Sequence, residues 1–138
     1  MNVTEFVKKY QRKIVGYPGG MYRGECLSLV KRFIEEQCGI APPPSGVGSA
    51  WGYWDRFPDP LPDAFDKVTY EPGKMPLPGD IIIWRKTPPM LNGHIAIAVM
   101  GHKDGFIAFE QNWFSTRAAL VWHDYDASIY GWLAHKEE

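Results

Sequence analysis

Cys26, His94 and Glu110 are the side chains whose types and order could perform covalent chemistry in this chain. Cys26 follows Tyr22-Arg23-Gly24-Glu25 and opens a stretch in which Cys26, Val30, Phe33, Ile34 and Cys38 recur three or four residues apart. That spacing predicts a helix from about Glu25 to Cys38 with one apolar face. It places the thiol in the first turn, where the positive end of the helix dipole favours a thiolate nucleophile. The same position suits a small buried hydrophobe equally well. Cys38 closes the apolar face at the other end, where the dipole opposes a thiolate, and reads as a core residue. Twelve residues of helix hold the two Cα atoms roughly 18 Å apart, well beyond disulfide range.

His94 follows Asn92-Gly93 and starts a run, Ile95 to Val99, that is otherwise apolar. An imidazole at the end of a strand, carried by a rigid sheet, can be aimed at a nucleophile on a packed helix; the plainer alternative is a polar residue closing a loop. Glu110-Gln111-Asn112-Trp113 ends another apolar run. If the strand continues, Glu110 and Asn112 project from the same face, where a carboxylate or amide can orient an imidazole as the third member of a triad. Alone, the cluster also fits an ordinary strand end with Asn112 in a turn. His102, His123 and His135 read as structural or surface residues.

Other chemistries lack their signatures. No C-x-x-C occurs, nor any pair of histidines at helical spacing, so neither a metal site nor a metal cofactor is expected. The glycines match no dinucleotide or phosphate-binding fingerprint, and no G-x-S-x-G is present, which disfavours a serine nucleophile. Trp51, Tyr53, Trp54 and Phe57 form a dense aromatic patch, with Trp84, Trp113 and Trp122 elsewhere. Aromatics mostly fill cores, but Trp51, Trp54 and Trp113 could also offer faces to the apolar surface of sugar rings or to peptide stems.

The elements that must position these groups follow from periodicity. Val3, Phe6, Val7, Tyr10 and Ile14 have helical spacing, capped by Asn2 or Thr4 and stopped by Tyr17-Pro18-Gly19-Gly20. A third short helix is expected around Ala50 to Trp54, capped by Ser49. Strands are predicted at Lys67–Glu71, Asp80–Trp84, His94–Val99, Gly105–Glu110, Ala119–Tyr125 and Ile129–His135. Helices followed by strands argue for an α+β fold, with N-terminal helices packed on an antiparallel sheet of five to six strands. The 138 residues suffice for one domain, taken as 1–138. A net charge of −1 gives no excess of basic residues for phosphates, so nucleic acid is not an expected partner. The longest apolar run, Ile95 to Met100, is too short to cross a membrane, and the N-terminus lacks the apolar core of a signal peptide.

Four strings occur in order: Gly24-Glu25-Cys26-Leu27-Ser28-Leu29-Val30, Pro78-Gly79-Asp80-Ile81-Ile82-Ile83-Trp84, Gly93-His94-Ile95-Ala96-Ile97-Ala98 and Phe109-Glu110-Gln111-Asn112-Trp113. They resemble the blocks of the CHAP domain, the cysteine, histidine-dependent amidohydrolase/peptidase, which is similar to NlpC-type hydrolases of the papain-like fold. The resemblance implies hydrolysis of peptidoglycan, either between muramic acid and L-alanine or within the stem or cross-bridge. Cys26 would be the nucleophile, His94 the general base, Glu110 the group that orients His94, and Asn112 a nearby polar partner. The backbone N–H of Cys26, with Tyr22, would serve the oxyanion. Many relatives are phage lysins, which implies a monomer made in the host cytoplasm that reaches the wall through a holin pore or on a virion. A separate wall-binding domain or a larger phage protein would be its partner. Some phage members carry an acidic calcium loop before the cysteine; here Gly16 to Gly24 contains a single acid-free run, so calcium dependence is not expected. The competing readings are a non-catalytic wall- or glycan-binding module on the same fold, and a CHAP-like amidase or toxin with another substrate.

Overall fold

The computed structural model describes residues 1–17, 23–41, 52–55, 64–86, 93–113 and 115–136. Its elements run α1 (Val3–Tyr10), α2 (Cys26–Cys38), α3 (Gly52–Asp55), β1 (Phe65–Thr69), β2 (Ile81–Trp84), β3 (His94–Gly101), β4 (Gly105–Glu110), β5 (Ala119–Asp124) and β6 (Ile129–His135). The strands form one six-stranded sheet in the order β1-β6-β2-β3-β4-β5, with every neighbouring pair antiparallel. This is the expected α+β arrangement of helices and antiparallel sheet.

Helix α1 is capped by Asn2, whose side chain accepts from the Glu5 N–H. It ends at Tyr10, one turn before the Ile14 that its periodicity suggests. Arg12 adopts a left-handed φ of 70°, and the backbone of Arg12 and Lys13 pairs instead with Ala118. Helix α2 ends as expected at Gly39, whose left-handed φ of 66° suits a residue without Cβ. The first strand lies at Phe65–Thr69, two residues earlier than predicted. Its pairing with β6 requires Gly131, where an added Cβ would meet the Val68 carbonyl oxygen at 2.0 Å.

Alternation along the strands divides the core between the two sheet faces. Ile81, Ile83, Ile95, Ile97, Phe109 and Leu133 pack with Phe6, Leu29, Val30, Phe33 and Ile34 of the helices. Ile82, Trp84, Ala96, Ala98, Phe106, Ala108 and Trp132 form a second buried cluster. Helix α2 packs on β3 and β4, and the carbonyl of its N-cap Glu25 accepts from Gln111, just past the end of β4, which brings its N-terminus to the sheet end where β3 begins and β4 finishes. Cys38 is half-buried in the last turn of α2 and packs against the core, and neither cysteine is in a disulfide.

Candidate active site

That sheet end gathers the predicted chemistry. Cys26 is the first residue of α2 and is half-buried; His94 is the first of β3; Glu110 is the last of β4. His94 and Glu110 share a sheet face, since His94 alternates with Ala96 and Ala98, and Ala98 pairs with the Ala108 that alternates with Glu110. Both are almost fully buried, at 3% and 2% exposure. Glu110 Oε2 accepts from His94 Nε2, and the Cys26 side chain hydrogen-bonds His94. Thiol, imidazole and carboxylate thus form one hydrogen-bonded chain joining the helix to two strands.

The electrostatics follow from burial and partners. Burial alone would drive His94 down, because it disfavours the charged ring. Hydrogen bonds and charge from Cys26 and Glu110 outweigh it and lift His94 to about 9. Burial likewise pushes the Glu110 carboxyl up, but hydrogen bonds from His123 and His94, and their charges, leave it below its ordinary value. At neutral pH this places an imidazolium beside a carboxylate in a site walled by aromatic rings. Trp84 lies 5.0 Å from His94 and Trp113 4.8 Å, centroid to centroid.

Two residues of the site were not expected. His123, read from sequence as structural or surface, is 7% exposed and binds the second carboxylate oxygen, Oε1, through Nε2. The register of β5 against β4 reveals it: His123 alternates with Val121 and Ala119, and Ala119 pairs with Glu110, so both face the same way. Gln111 is completely buried. Its Oε1 accepts from the Val15 N–H at 2.6 Å, and its Nε2 donates to the carbonyls of Val15 at 3.0 Å and Glu25 at 2.9 Å. Glu25 is the N-cap of α2 and makes no side-chain cap of its own. Gln111 therefore ties the peptide before Cys26 to the strand end that carries Glu110.

Two expectations are corrected. Strand β4 ends at Glu110, so the alternation argument does not reach Asn112. Asn112 is exposed in the following turn, with a left-handed φ of 65° and its N–H donated to the Ser115 carbonyl. Asparagine tolerates that conformation, and of the two sequence readings the turn is the one found, not the shared strand face. Trp54 is 7% exposed, its ring stacked on Tyr130 at 5.6 Å and carrying the Lys67 ammonium at 4.4 Å. Its faces serve the fold and do not form an open platform for sugar. Trp113 does lie at the site, half-buried against both histidines. Tyr22, Trp51 and the Ser49 cap lie outside the described residues, as does most of the acid-free run before Cys26. Among the described residues no group of three or more His, Cys, Asp and Glu side chains is arranged to hold a metal ion.

With this geometry in place, comparison with known proteins places the chain. The model of the CHAP domain matches residues 16–112. The chain belongs to the CHAP family. That match spans Cys26, His94 and Glu110, and stops short of His123. The CHAP fold here is similar to the crystal structure of the wild-type endolysin LysIME-EF1, at 24% identity and a TM-score of 0.78 over 96% of this chain and 62% of that one. It is also similar to Ly7917 solved with the hydrolyzing product of MDP, at 16% identity and a TM-score of 0.64 over 97% of this chain and 63% of that one. This CHAP chain therefore spans about three-fifths of the length of those proteins. Among curated proteins nothing matches it. No described helix is long and apolar enough to cross a membrane.

Proposed function

We propose that this CHAP domain cleaves an amide bond of bacterial peptidoglycan through a thioester on Cys26. The observation that carries the reading is the hydrogen-bonded chain from Cys26 through His94 to Glu110 at the N-terminus of α2. Three residues in that order supply a nucleophile, a proton carrier and an orienting charge. The similarity to endolysins supports the choice of wall amides over other amides, and favours a phage lysin acting as a catalytic domain.

In the proposed reaction His94 holds the thiol proton and Cys26 Sγ attacks the scissile carbonyl carbon. The first N–H groups of α2 have no partner within the helix, and that of Cys26 faces the developing oxyanion. As the tetrahedral intermediate collapses, the C–N bond breaks and His94 gives its proton to the leaving amine, which leaves a thioester. Water then attacks the thioester, His94 takes its proton, and Cys26 departs with release of the carboxylate product. Glu110 balances the charge on His94 throughout. The bond cleaved is either muramoyl–L-alanine or a peptide bond of the stem or cross-bridge.

Turbidity loss of purified cell walls tests the reading with the intact chain and its Cys26→Ala variant. Wild type is expected to clear the suspension and the variant to leave it turbid. Equal clearing by both would overturn the thiol mechanism.

A further inference from the structure

Glu110 is unusual in having each of its carboxylate oxygens held by a different imidazole, and only one of these imidazoles touches the nucleophile. His94 takes Oε2 and His123 takes Oε1. The two histidines come from strands that flank β4 in the sheet, β3 and β5. His123 is packed on three sides by apolar rings. Trp84 lies at 4.8 Å, Trp113 meets it edge-on at 4.8 Å, and Phe106 stacks on it at 5.4 Å. Among the described residues the titratable groups facing it are Glu110 and, across that carboxylate, His94; its strand neighbour Asp124 is exposed and bonded to the Trp122 indole. Among the described residues, then, the ring is 7% exposed, enclosed by aromatic neighbours and bonded through Nε2 to one carboxylate oxygen.

We infer that His123 is a positioning residue for the proposed hydrolysis. By holding Oε1 it fixes the rotation of the Glu110 carboxylate, so that Oε2 alone is presented to His94. By sharing the carboxylate's charge, it also leaves His94 able to surrender its proton to the leaving amine. A carboxylate free to turn would present either oxygen, and one satisfied by His94 alone would hold that proton more tightly. The hydrogen bond from His123 is also the leading influence that keeps Glu110 ionised against its burial. The inference rests on Cys26, His94 and Glu110 acting together, but not on the identity of the substrate.

The test compares donor-deleting variants with one that restores the donor. His123→Phe, or the smaller His123→Leu if the larger ring disturbs packing, removes the N–H and keeps an apolar filling. His123→Gln returns an N–H to the same distance along the side chain, without a titrating ring. Wall-hydrolysis kcat is expected to fall at least tenfold in the deletion, with KM little changed. The acid limb of its pH profile is expected to move upward by about one pH unit as Glu110 loses the donor that keeps it ionised. His123→Gln should recover most of both. The same limb is read without any wall substrate from the rate of Cys26 alkylation by iodoacetamide. A shifted alkylation limb alongside a wild type that cleaves no wall would sink the peptidoglycan reading and leave the role of His123 standing. Folded deletion variants with wild-type kcat and an unmoved limb would overturn the inference. So would a Gln variant as impaired as the deletion, because that result would mean His123 works through its own titration.

Discussion

Replacing Glu110 by glutamine removes one charge at nearly constant shape, and the surrounding groups dictate the outcome. The carboxylate accepts from Nε2 of both His94 and His123. An amide accepts at one end and donates at the other. One imidazole must then turn a bare Nε2 to the amide and carry its proton on Nδ1. If that imidazole is His94, its Nδ1 is already protonated and its Nε2 is taken by the amide, so the ring cannot take the thiol proton. In either arrangement the His94 imidazolium loses its counter-charge. Burial opposes that imidazolium, and Cys26 and Glu110 together raise it from the ordinary 6.5 to about 9. The rise corresponds to roughly 3 kcal/mol at neutral pH. If Glu110 supplies half or more, its loss costs on the order of 2 kcal/mol, and a wrong tautomer adds to that. The expected result is a fall in kcat of about a hundredfold at pH 7, with KM little changed.

The same substitution reshapes stability against pH. His94 is raised in the folded state, so its contribution is complete below about 6.5 and is lost as pH climbs through about 9. Glu110 is depressed, so its contribution is complete above its ordinary 4.5 and is lost as pH falls through its folded value. Wild type should lose up to about 3 kcal/mol between pH 6.5 and pH 9 from His94, and Glu110→Gln should lose markedly less. Urea unfolding at half-unit pH steps, beside kcat on solubilised wall fragments, measures both effects. A folded variant with wild-type kcat, together with an alkaline stability slope equal to wild type, would refute the reasoning.

Three further outcomes follow from residues around the site. Gln111→Leu leaves the Val15 N–H and its partners without the amide that bridges to Glu25; it should cost about 2–4 kcal/mol in thermal unfolding and lower kcat by loosening the N-terminus of α2. Asp80 is pushed up by burial, partly offset by the Leu77 N–H, to about 6. Its folded value lies above its unfolded one, so ionised Asp80 weakens the fold as pH rises from about 4 to about 6 and the cost persists at neutral pH. Asp80→Asn keeps the acceptor for Leu77, and should raise urea stability at pH 7 by about 1–2 kcal/mol after allowance for solvent screening, with little change at pH 4. Trp54→Ala breaks the stack with Tyr130 and Lys67 and should cost about 3–5 kcal/mol of stability, while KM for wall fragments, measured on the folded enzyme, stays unchanged.

What could be read from the sequence was what depends on local pattern. The apolar faces of α1 and α2, the Gly39 cap and five of the strands follow from spacing and turn residues, and they already placed Cys26, His94 and Glu110 at the ends of elements. The residues missed are those whose roles depend on distant partners. Gln111 binds Val15, 96 positions away, and nothing beside it in the sequence signals that. His123 sits on a strand whose neighbours are mostly exposed or half-exposed, so only the register of β5 against β4 reveals that it turns inward. Asn112 fits both a strand face and a turn in the sequence, because alternation cannot mark where a strand stops. Trp54 resembled a ligand platform because composition does not show what lies on either side of a ring. The end of α1 was overrun for the same physical reason: pairing of Arg12 and Lys13 with Ala118 overrides a helical periodicity that continues to Ile14.

The central claim is that Cys26, driven by His94 and Glu110, opens an amide bond in peptidoglycan. Mass spectrometry of the fragments released from several purified walls by wild type and by Cys26→Ala tests it most directly. Wild type should release fragments bearing a new amine and a new carboxylate at one amide, with the glycan bonds intact, and Cys26→Ala should release none of them. Identical fragments from both proteins, or fragments cut only at glycan bonds, would contradict it.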